Sequence, residues 1–136
     1  MSRVVLLCAD HPLPLYGSGP RRVETSSHGG YTVSIERNGF SVREHKYYRG
    51  AVEDLGLSMR PCRYELDLEA TEEDARQLRD YLARYGRPGE QVELWNLWVG
   101  DGEVRALHLA GPLRALDRDT LEQLLEKDQT RMTITI

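Results

Sequence analysis

The chain has 136 residues, 40% of them hydrophobic and 29% charged, with a formal net charge of −4. That length suits a single domain able to bury about two thirds of its unfolded surface without disulfides or metals, and the composition excludes a disordered chain. The acidity is local: residues 1–61 carry a net +2 and residues 62–136 a net −6, which argues against nucleic acid as the second half's partner, because phosphate neutralisation supplies most of such affinity.

Residues 3–8, Arg-Val-Val-Leu-Leu-Cys, form a continuous apolar run of the kind that makes a buried strand. The run is too short for a secretory signal, and no segment reaches membrane-spanning length, so a cytoplasmic location is expected. Residues 11–22 hold three prolines and two glycines and read as a loop, continuing irregularly to Gly30. Tyr31, Val33 and Ile35 then alternate with polar residues, as do Phe40 and Val42. With Asn38-Gly39 between them, the pattern predicts a hairpin placing Ile35 opposite Val42. Tyr47, Tyr48, Ala51, Val52 and Leu55 recur at helical spacing and predict a helix over 45–56, stopped by Gly56.

The second half carries a pattern for every element. Tyr64, Leu66 and Leu68 alternate with charged residues, a half-buried strand. Thr71 caps the next helix, whose acidic first turn complements the positive helix start and whose buried stripe is Ala75, Leu78, Leu82 and Tyr85. Residues 91–99 read as a strand, Gly100–Gly102 as a hairpin turn, and 103–110 as the returning strand. Asp117 or Asp119 opens a second helix, with a Leu116–Leu121 hydrophobic staple or a Glu122 capping box. Met132, Ile134 and Ile136 alternate in a last strand.

Strand, helix, strand, strand, helix, strand is the order of a ferredoxin-like βαββαβ sandwich. The expectation is therefore one α+β domain over 1–136. Residues 62–136 form the sandwich, and an N-terminal strand, hairpin and helix (1–61) extend or cover the sheet. The resemblance is one of topology alone, and fold does not imply function.

Strand 91–99 is apolar on both faces and holds both tryptophans, Trp95 and Trp98. A half-buried strand does not do this. Either the N-terminal hairpin folds over the second face, or Trp95, Leu97 and Trp98 belong to an interface with a partner or a second copy. Catalytic patterns are missing. Cys8, Asp10 and His11 lack the second half-site that a structural zinc needs, and Gly17–Arg22 lacks phosphate-loop spacing. No metal or cofactor is expected. His108 is expected on the outward face with Glu65 and Asp67.

Three functions follow, in order of support. The first is a non-enzymatic, cytoplasmic bacterial protein-binding or regulatory domain acting through its sheet, with self-association as a homodimer included. The second is a small enzyme or anionic-ligand-binding domain, with Asp10, His11, Arg21, Arg22 and His45 lining its pocket. The third is nucleic-acid binding by the N-terminal half, with Arg21, Arg22, Lys46 and Arg49 on phosphates.

Overall fold

The computed structural model describes residues 2–17, 20–46, 48–99, 107–126 and 129–136, the side chains of 2, 20–26, 33–38 and 99 excepted. The apolar N-terminal run becomes β1 (Ser2–Ala9). Short β2 (Tyr16–Gly17), long β3 (Pro20–His28) and β4 (Tyr31–Asn38), β5 (Ser41–Glu44) and helix α1 (Arg49–Asp54) follow. The second half supplies β6 (Cys62–Asp67), α2 (Glu72–Tyr85), β7 (Gln91–Val99), β8 (Leu107–Pro112), a 3-10 turn at Leu113–Ala115, α3 (Arg118–Glu126) and β9 (Thr130–Thr135). Tyr47, the expected Gly100–Gly102 turn and the first part of the expected 103–110 strand lie outside the described residues.

Among the described residues, seven strands form one sheet in the order β2-β5-β6-β1-β7-β9-β8, antiparallel except for the β8–β9 pair. The α+β class holds, but the strand order does not confirm the ferredoxin-like arrangement. That arrangement puts β6 beside the last strand and β8 beside β7. Instead β1 lies between β6 and β7, and β9 lies between β7 and β8. The reason is apolarity on both faces. Val4 to Ala9 are all buried, and only a central strand covered on two sides accommodates such a run. It pairs with the other two-faced strand, β7, through Leu6↔Trp95 and Val4↔Leu97. β9 takes β7's remaining edge because Met132 and Ile134 fall level with Leu94 and Val92.

The expected hairpin at Asn38-Gly39 is also corrected. β4 pairs with β3, not β5, so Ile35 faces Glu24, while Val42 of β5 faces Leu66 of β6 and Tyr16 of β2. The turn sits at Gly29-Gly30, whose φ values of 58° and 83° supply the two positive angles of a type I′ turn. Residues 20–28, expected as irregular, are therefore a strand of a separate two-stranded ribbon.

Both long helices pack on one side of the sheet. Leu78 and Leu82 of α2 and Leu121 and Leu124 of α3 share a core with Leu7, Leu66, Leu94 and Ile134. The local stops and starts match the sequence. Thr71 Oγ1 accepts from the Asp74 N–H (3.1 Å), and Gly56 follows α1 at φ 65°. α1 itself is shorter than expected, beginning at Arg49 after Tyr48, which sits at φ 60°.

Of the two α3 openings, Asp117 is the cap. Its Oδ1 accepts from the Thr120 N–H and Thr120 Oγ1 accepts from the Asp117 N–H, both at 2.9 Å, a reciprocal capping box. Leu116 and Leu121 are both buried beside it. The Thr120 backbone N–H is the main cause holding the Asp117 carboxyl below its ordinary 3.8. A depressed carboxyl contributes stability that is present above the unfolded-state value and lost as pH falls through the folded one. Asp117→Ala is therefore expected to lower the Tm fully at neutral pH and progressively less below about pH 4. A Tm deficit of the same size at pH 2.5 would refute the charged cap.

Candidate functional site

The second sheet face is covered by the chain itself. Val52 of α1, with Ala51, Leu55, Leu57 and Met59, packs on Val4, Leu6, Cys8, Trp95 and Leu97. Trp95 is 2% exposed and Leu97 fully buried. Trp98 lies on the helix side and is half-buried. The covering element is α1 and the segment after it, not the N-terminal hairpin.

Beside this apolar patch runs a polar strip. Glu93, 7% exposed, accepts from the Arg60 backbone N–H at 3.2 Å and lies 3.9 Å from Arg131 Nη1. The Arg131 guanidinium sits 5.5 Å from the Trp95 ring centroid, within cation–π range. Its Nη2 donates to His108 Nδ1 at 2.7 Å. His108 thus shares its face with an arginine. Glu65, on the same face, is separated from it by β1, β7 and β9. Cys8, enclosed beneath the strip, has its thiol pushed up to about 12 by burial and then by the Glu93 charge. A thiol so placed is a poor nucleophile.

The five residues expected to line a ligand pocket have different neighbours. Asp10 pairs with Arg60, while His11 Nε2 lies 2.8 Å from Glu90 Oε1. His45 is buried at the end of β5, beside an open cavity of about 810 Å³ that Asp10 and His11 do not line. Arg21 and Arg22 fall on β3, and their side chains lie outside the described set. The cavity sets Lys46, Arg49 and Arg63 against Glu44 and Glu53. Small-molecule sites are mostly apolar with a few convergent polar groups, and this mixed, charged lining is not of that kind. Among the described residues, no three His, Cys, Asp or Glu side chains converge as a metal site requires. No helix among them is long and apolar enough to cross a membrane.

The more specific geometry is at the sheet's edge. β8 pairs with β9 and, among the described residues, with no other strand. The Leu107 N–H donates to the Gln129 carbonyl at 3.0 Å, so its main-chain groups face β9. Main-chain direction alternates along a strand, so Leu109 and Gly111 also face inward, while His108 and Ala110 turn N–H and C=O outward. Pro112 turns outward a carbonyl only, which ends the row of donors.

Side chains alternate with the same period. Leu107, Leu109 and Gly111 fall level with Thr130, Met132 and Ile134 on the helix side. Leu107 is 42% exposed there. At Gly111 a Cβ would meet no atom within 4 Å. The gap opens into an apolar pocket of about 190 Å³ between β8, β9 and α3, lined by Leu109, Gly111, Leu116, Gln123, Met132 and Ile134.

No family model, curated protein or solved structure matches this chain.

The edge was not visible in the sequence. Leu107–Pro112 falls partly within the expected returning strand, but which side of it stays open depends on β9 lying beside it. The signal that was present is Gly111-Pro112, a missing side chain followed by a missing donor.

Proposed function

We propose that this chain is a non-enzymatic protein-binding domain that recruits an extended strand to the open edge of β8. The observation that carries the reading is the pair of outward-turned residues, His108 and Ala110, directly above an apolar pocket. Strand addition uses such a pair. Main-chain hydrogen bonds supply affinity, and a pocket on one face selects the side chain at alternate positions of the incoming strand. An apolar residue would enter the Gly111 gap. The residue beside it on the other face would meet His108 and the Arg131 behind it, which favours an acceptor or a carboxylate.

Ala110→Pro isolates this role, because it deletes an N–H that β9 does not use, at an edge position where proline is tolerated. Extended heptapeptides panned against dilute protein should return binders that slow amide exchange at His108 and Ala110. Losing one main-chain bond of ordinary strength should weaken those binders about tenfold on Ala110→Pro. Binders that hold the variant equally well would move the binding surface away from β8.

A further inference from the structure

We infer that the strand received at β8 is the β8 of a second copy, paired antiparallel about a two-fold axis through Leu109. This rests on the strand-addition reading and adds the partner's identity and register. In an antiparallel pair, residues whose main-chain groups face the partner must stand opposite each other to exchange both bonds. That restricts the two-fold registers to those matching His108 and Ala110 with one another or with themselves.

One of these fits on every count. With Leu109 on the axis, His108 stands opposite the partner's Ala110 and Ala110 opposite the partner's His108, so both outward N–H and both outward C=O groups of each chain are used. On the helix side the same register sets Leu107 against the partner's Gly111. Leu107 is exposed, and Gly111 is where a side chain would meet only open space. Each copy thus offers a protruding leucine and an empty pocket, and the two-fold fits one into the other twice.

The neighbouring registers do worse. Shifting the axis to His108 stacks two imidazoles directly opposite, each beside its own Arg131, and leaves Gly111 without a leucine. Shifting it to Ala110 sets His108 against Pro112, which has no N–H to give. Self-complementarity of this kind is the isologous pattern of two-fold dimers. A single six-residue edge buries less surface than a permanent dimer needs. The association is therefore concentration-dependent.

Sedimentation from low micromolar to near-millimolar protein tests the pairing with wild type, Ala110→Pro, Gly111→Leu and Leu107→Ser. A monomer–dimer equilibrium is expected for wild type. Each variant should weaken it about tenfold or more while keeping the wild-type circular dichroism spectrum. Gly111→Leu is informative because its side chain fills its own pocket and so excludes the partner's Leu107. A strictly monomeric wild type, or a dimer that all three variants leave intact, overturns the pairing. The two readings separate cleanly. A monomer whose panned peptides still protect His108 and Ala110 keeps the protein-binding edge and loses only the second copy. Peptides indifferent to Ala110→Pro remove the edge itself.

Discussion

Trp95→Ala should cost about 3–5 kcal/mol of unfolding free energy, the range for deleting a fully buried large aromatic. Trp95 is 2% exposed in the middle of β7, against Leu6, Val52 and Leu97. Its loss acts at two levels. The cavity left behind sits under the only helix on that side of the sheet among the described residues, and α1 has six residues, too few to hold helical structure without packing. The Arg131 guanidinium also loses the ring beneath it, while Glu93 and His108 remain to hold its position. Urea denaturation should show the drop, and amide exchange should show α1 opening before α2. A loss below about 1 kcal/mol would mean that the second face is covered only loosely and that Trp95 is a surface residue in solution.

That expectation takes up the covered alternative for strand 91–99 that the sequence offered, but which element does the covering depends on strand order. The elements of the second half were legible because each is specified locally. Thr71 with its acidic turn, the Leu78–Leu82 stripe, the Leu116–Asp117–Leu121 start and the Met132–Ile134 alternation all act within one or two turns of chain. Strand order is not local. Nothing near Ser2–Ala9 says that it will separate β6 from β7; only its apolarity on both faces, matched to the same property in β7, implies it. Turn chemistry misled for a related reason. Asn38-Gly39 and Gly29-Gly30 are both good type I′ dipeptides, and β3, whose one large aliphatic residue is Val23, gave no sign of being a strand. The candidate site depends on pairing twice over. β8 has an open side because β9 takes the other, and Gly111 becomes a pocket only when it falls level with Ile134.

Phe40 tests the corrected topology directly. As a hairpin residue across from β4 it would pack within a two-stranded ribbon, and replacing it would disturb that ribbon alone. In the structure it is fully buried where β4 gives way to β5, within an aromatic cluster. Tyr16 and Tyr81 have ring centroids 5.6 and 6.1 Å away, and Tyr81 in turn lies 5.1 Å from Tyr85. The cluster fastens the β2–β5 end of the sheet to α2, assisted by the Tyr81 hydroxyl donating to the Pro14 carbonyl at 2.6 Å. Phe40→Ala should therefore cost about 3–5 kcal/mol, and Phe40→Leu, which keeps most of the volume, less than half of that. The alanine variant has a second signature. Burial is the main reason the Tyr81 phenol is raised above its ordinary 10, so hydrating the cluster should bring its ionisation down toward that value. Ultraviolet titration of tyrosinate on the folded variant would show one phenol moving to lower pH. An unchanged titration with a small stability loss would place Phe40 outside the α2 interface, and with it the β5–β6 pairing that orders this side of the sheet.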